Sequence, residues 1–268
     1  MKILRIKDFS DVTDPVKTEH TISNQLIERQ SEIDSDYAYA MIPLADIINK
    51  YGLGAAQKVI SYAHSLHDPA KIFFVCQHIL VRGLHFGESL VFTPHATKLD
   101  DYIAIPHYSC TYDLKEAKPW GDRKYDYSFM GDFGSHPTRL RLAQAFKDNP
   151  NTVFINTSTW HFHANQEAQK LNKKKYIELL GNTRHSLCPR GTGPSTIRMW
   201  EAMAMGSCPL IFSDSLKTPA GSELLLRFQD ENSATLTGVE SYDNSDYFVK
   251  FSNDKLYVGI YNAIQVGE

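Results

Sequence analysis

The segment CPRGTGPSTIRMWEAMAMGSCPLIF, Cys188 to Phe212, carries two arginines, a glycine-rich turn, a proline at a predicted helix start and one glutamate. That set suits an anion. Gly191 and Gly193 let the backbone approach a bulky group such as a diphosphate. Pro194 suits the first position of a helix, where its missing N–H is not needed. The N–H groups of Ser195, Thr196 and Ile197 would then leave the helix start unpaired. With the positive end of the helix dipole they form an anion site. Arg190, just before the turn, adds a bidentate phosphate contact.

Along that helix Ile197, Trp200, Met203 and Ala204 form an apolar stripe, while Pro194, Arg198 and Glu201 share another face. Glu201 lies about 10 Å from the helix start. A carboxylate there can accept hydrogen bonds from a ribose diol one step from a diphosphate. Gly206 then caps the helix and SCPLIF returns as a strand. A plainer alternative stays open: a glycine turn before a core helix, with Arg198 and Glu201 paired at i, i+3. Other phosphate motifs fit worse. No GK[ST] follows the glycines, GTGPST lacks the GxGxxG spacing, and Cys188 lacks the arginine of a phosphatase loop.

These residues need a scaffold. Short apolar runs bounded by Pro or Gly predict strands over 37–43, 71–76, 89–94, 101–106, 125–131, 151–158, 185–189 and 207–212. Helical patterns fall at 45–66, 135–149 and 172–182, with a closing helix at 254–265. Strand–helix alternation predicts an α/β fold with mostly parallel sheets. The polar stretch 107–127 reads as a connector. The expected domains are 1–120 and 121–268, with the last helix packing back on the first.

The central segment resembles the signature of the exostosin-like glycosyltransferases, roughly CPRG-x-GPSS-x-R-x-x-EA-x-x-x-G-x-x-PV. YIELLGNTRHSLCPRG and YDYSFMGDFGSHPTRLRL resemble the family's flanking elements, and DSDYAYAMIP and DDYIAIP its front-half strands. The resemblance implies two Rossmann-like domains facing a cleft, the GT-B architecture. It implies inverting transfer from a UDP-sugar to a glycan hydroxyl, with no cofactor and no catalytic metal. Carried over, Arg190, Gly193, Pro194, Ser195 and Thr196 hold the diphosphate, with Gly191 and Arg198 counted among the donor-binding residues. Glu201 binds the ribose, and Gly131 and Arg139 flank the phosphates. The front half matches the family's arginine and G-x-D-H stretch only loosely, as CQHILVRGLHFGES. Family members usually carry a membrane anchor and stem; a form without them suits a bacterium or a large DNA virus. UDP-xylose is the donor expectation.

Inversion needs a base for the acceptor hydroxyl. Front-half strands run into His78, His95 and His107, near the ends where α/β sheets bind ligands. His78 and His95 lead, with Glu88, Asp100 and Asp36 as carboxylate candidates; each histidine also reads as an ordinary strand-end residue. Ser158, Thr159, Trp160 and His161 stand where a sugar contact forms, or where a buried tryptophan is capped. Asp34 and Asp36 match a D-x-D metal motif. It precedes its strand, so a turn is the simpler account. A metal-dependent GT-A-type transferase using Asp34 and Asp36, and a non-catalytic carbohydrate-binding protein, are the alternatives.

Bulk properties agree. The 268 residues carry a net charge of -3 and 42% hydrophobic content, enough for one large or two small cores. No nucleic-acid partner is expected from so small a charge. Lys170, Lys173, Lys174 and Lys175 read as a solvated helix face. The four cysteines form no CxxC pair, which points to reduced thiols. The start shows neither signal peptide nor membrane span, so a cytoplasmic protein is expected. Oligomeric state is not encoded.

Overall fold

A computed structural model describes residues 1–7, 17–109, 111–157, 166–232 and 236–265. The chain divides into two α/β units. The first comprises Met1–Tyr108, Ser215–Ala220 and Lys250–Glu268; the second comprises Ser109–Asp214 and Gly221–Val249. The expected boundary at 120 thus lies earlier, and the chain returns twice to the first unit. The connector is part of the second unit. Arg123 is buried and donates to the carbonyls of Lys118, Thr183 and Met205.

The first unit contains β1 (Lys2–Arg5), α1 (Lys17–Glu28), β2 (Ala38–Met41), α2 (Leu44–Tyr51), α3 (Leu53–Leu66), β3 (Ile72–Val75), β4 (Leu90–Thr93) and β5 (Ile103–Ala104). Its strands form one parallel sheet in chain order. Residues alternate between its faces. Ala38, Ala40, Ile72 and Phe74 pack with Ile47, Ala56 and Ile60 of α2 and α3. Tyr39, Met41, Phe73 and Val75 pack with Ile22 and Leu26 of α1. With both faces covered, the strands read as continuous apolar runs.

One long helix was expected over 45–66. Gly52 breaks it with φ of +79°, which a side chain rarely adopts. The α1 helix has no apolar periodicity because its core face carries Thr18, Glu19, Ser23 and Gln25. Each has a partner: Glu19 accepts from the Ala45 and Gln77 amides, and Ser23 bonds Tyr39.

The second unit contains β6 (Tyr125–Gly131), α4 (Pro137–Ala145), β7 (Thr152–Asn156), α5 (Gln166–Gly181), β8 (Thr183–Pro189), α6 (Ile197–Ala204), β9 (Cys208–Phe212), β10 (Arg227–Phe228) and α7 (Ser245–Lys250). Its parallel sheet runs β10-β9-β8-β6-β7. The closing helix α8 (Val258–Gln265) belongs to the first unit, where Ile260 and Ile264 join the α1 face. Two Rossmann-like units in one chain match the expected fold class.

Candidate active site

In the second sheet β6 lies between β7 and β8. Renumbered within the unit, the order is 2-1-3-4-5. The winding reverses between the first and third strands, and ligands of such sheets bind beyond the carboxyl ends there. Gly131 ends β6, and Pro189 ends β8 directly before Arg190.

Three guanidinium groups meet at this point. Arg139 on α4 donates from Nε to the Arg190 carbonyl at 3.0 Å and from Nη1 to the Asp132 carbonyl at 2.9 Å. Burial, then the nearby Arg198 charge, lowers its pKa to about 10. Arg198 donates from Nη2 to the Met130 carbonyl. Arg190 Nη1 lies 3.9 Å from Glu231 Oε1. Several buried donors have no protein partner among the described residues: Arg190 Nε, Arg198 Nε and Nη1, and the hydroxyls of Ser195 and Ser213. Unpaired buried donors are costly. Here they cluster on the loops leaving β8 and β9 and on the first turn of α6, a surplus of positive polarity that fits an anion.

The helix start differs from expectation. Thr196 is the N-cap of α6, with extended backbone and no side-chain capping bond, and Ile197 is the first helical residue. Pro194 therefore lies in the approach loop, and the unpaired first-turn amides are those of Ile197, Arg198 and Met199. Gly193 and Ser195 are buried, and Pro194 and Thr196 half-buried. Trp200, Met203 and Ala204 are buried as expected, and Gly206, with φ of +64°, follows the last turn.

Glu201 also needs correction. It is only 4% exposed, and Tyr176 of α5 donates to its Oε2 at 2.8 Å. It sits beside the apolar contacts that Ala202 and Met205 make with Leu180, Tyr176 and Ile177. A carboxylate so enclosed braces α6 against α5, so the ribose role is not retained for it. The carboxylate facing Arg190 is Glu231, which follows β10 and accepts from the Asp214 amide at 2.8 Å. No periodic pattern marked this stretch, because β10 has only two residues. Ser158, Thr159, Trp160 and His161 lie outside the described residues.

In the first unit His78, His95 and His107 follow the carboxyl ends of β3, β4 and β5. His95 and His107 are buried, their ring centroids 5.1 Å apart, edge to face. His78 is half-buried and fully engaged: Nδ1 accepts from the Leu80 amide, and Nε2 meets Asn49 Oδ1 at 3.2 Å. Glu88 is exposed and precedes β4, so it lies at the opposite end of that strand from His95 and cannot share a site with it. Asp34 and Asp36 are exposed before β2, at the amino ends of the strands. Asp100 is committed to structure, accepting from Arg82 and from the Thr97 amide and hydroxyl. Among the described residues no group of three metal-capable side chains converges, and no helix is long and apolar enough to cross a membrane.

Among known proteins, the Exostosin-1 homolog of Caenorhabditis elegans is 26% identical over 158 residues, covering 52% of this chain and 40% of that protein. This chain thus spans well under two thirds of the curated relative it matches. A solved crystal structure of TarM aligns with 82% of this chain and 56% of its own, at 9% identity and a TM-score of 0.33. The model of the exostosin GT47 domain matches residues 60–238, well over half of the chain. That span holds the β6–β8 switch point, its arginines and Glu231, and the chain belongs to the exostosin GT47 domain family.

Proposed function

We propose that the protein is a glycosyltransferase whose second unit holds the diphosphate of a UDP-sugar at the β6–β8 switch point. The observation that carries this reading is the convergence of Arg139, Arg190 and Arg198 there, with buried donors left unpaired. Arg190, Arg198, Ser195 and the first amides of α6 bind the diphosphate. Gly131, Gly191 and Gly193 give it room, and Pro194 and Thr196 shape the approach. Arg139 holds the Arg190 carbonyl in place. Glu231 takes the ribose hydroxyls.

In the reaction an acceptor hydroxyl attacks the anomeric carbon and gives up its proton to solvent, and the diphosphate leaves with the bonding electrons. Attack opposite the leaving group inverts the centre. Fixed guanidinium groups and helix amides stabilise the leaving charge, the task a divalent cation performs elsewhere, so the transfer runs without metal. Xylose is the proposed donor sugar: it carries no carboxylate, and the arginines of the site are already engaged with carbonyls, Glu231 and the phosphates. A glycan supplies the hydroxyl.

Calorimetric titration with UDP in EDTA, followed by a hydrolysis screen over UDP-sugars, tests this. Metal-free UDP binding and turnover of UDP-xylose are expected. Failure to bind UDP, or activity that EDTA removes and manganese restores, overturns it. Binding of sugar without any UDP release marks a non-catalytic protein instead.

A further inference from the structure

His95 and His107 form a second polar centre, inside the first unit. Both are about 95% buried, at 5% and 4% exposure. His95 Nδ1 has no partner among the described residues. In a neutral ring that nitrogen is an N–H donor or a lone pair, according to the tautomer. Neither ring nitrogen of His107 has a partner among the described residues. A neutral His107 offers one donor and one acceptor, whichever tautomer it adopts.

The pair thus presents three buried ring nitrogens without a protein partner among the described residues, lone pairs and N–H groups together, on rings in edge contact. Burial keeps both rings neutral, lowering His95 to about 4 and His107 well below its ordinary value. An anion would meet ring lone pairs as well as N–H groups, with no formal charge to hold it. A cation site would require further ligands, and none converge among the described residues. Hydroxyl groups match, because each donates once and accepts.

We propose that the His95–His107 pair is a hydroxyl-binding subsite for a neutral sugar, through which the first unit engages the acceptor. This rests on the transferase reading above. His95 orients the hydroxyl and does not remove its proton, because a base that weak is a poor proton acceptor near neutrality.

The test uses the full chain with 15N-labelled histidine, saturated with UDP. Methyl β-xyloside, methyl β-galactoside and glucuronate are titrated in turn. At least one neutral glycoside is expected to move the ring resonances of both His95 and His107 saturably, while glucuronate leaves them in place. His107→Gln and His95→Gln should each weaken glycoside binding about tenfold or more, with UDP binding unchanged. Unmoved resonances with every neutral glycoside mean that the pair holds only water, and overturn the proposal. Equal response to glucuronate, or variants with wild-type glycoside affinity, does the same. If a variant fails to fold, the wild-type titration decides alone. Loss of UDP binding by the wild type overturns the transferase reading instead, and the titration is then run without UDP.

Discussion

The guanidinium carbon of Arg198 lies 4.3 Å from the centroid of the Phe129 ring, so a helix arginine is stacked on a residue of β6. With Nη2 held by the Met130 carbonyl and the ring beneath it, the planar group is oriented before any ligand arrives. Its Nε and Nη1 are the atoms left for a phosphate. Arg198→Ala should weaken UDP binding by about 10- to 100-fold. Arg198→Lys should recover little, because an ammonium neither stacks nor binds two oxygens in a plane. Calorimetry measures both; wild-type affinity in the alanine variant removes Arg198 from the site.

Two glycines keep these arginines in place. A Cβ at Gly131 would lie 2.9 Å from Arg198 Nη2, and one at Gly191 would lie 2.9 Å from Arg139 Nη2. At Gly191 the crowded atom ends a flexible side chain, so the fold can yield while the guanidinium is displaced; at Gly131 the buried Phe129 ring, 3.0 Å from the same Cβ, must give as well. Gly131→Ala and Gly191→Ala should therefore each lower UDP affinity about tenfold. The midpoint of thermal unfolding should shift little for Gly191→Ala and more for Gly131→Ala. A large loss of stability with unchanged affinity would make these glycines purely architectural.

The legible parts of the sequence were those with a repeat to follow. Buried strands such as IFFV and CPLIF stand out because both faces of each parallel sheet are covered. Arg190, Ser195 and Arg198 all belong to one short motif, Cys188 to Phe212, which stands out in the sequence as a unit. Three kinds of feature stayed hidden. The α1 helix buries polar groups whose partners, the amides of Ala45 and Gln77, are distant in sequence. The strands β1 and β10 are short and take their pairing from neighbours. Glu201 and Glu231 carry the same chemistry, and only packing tells the braced carboxylate from the one facing Arg190.

Those two glutamates are separable by experiment. Tyr176→Phe removes one donor to the buried Glu201 carboxylate, at a cost of about 1–3 kcal/mol. Stability should fall while UDP affinity changes less than about twofold. Glu231→Gln should do the reverse, weakening UDP binding while leaving stability largely intact. If Tyr176→Phe instead abolishes UDP binding at unchanged stability, Glu201 regains the ribose role.

Glu19 sets the last prediction. Its carboxyl is fully buried, and burial outweighs the backbone N–H bonds that favour ionisation, raising its pKa from 4.5 to about 8. Between those values the folded chain holds a proton that the unfolded chain releases. Its contribution to stability is complete below about pH 4.5 and is lost progressively as pH rises toward 8. The slope approaches about 1.4 kcal/mol per pH unit at most. Glu19→Gln keeps a neutral side chain of the same shape at every pH, so its stability should vary less over this window. Denaturant unfolding at about pH 5 and pH 8 compares the two slopes. Parallel slopes would mean that Glu19 is ionised in the folded protein, held by the Ala45 and Gln77 amides against the cost of burial.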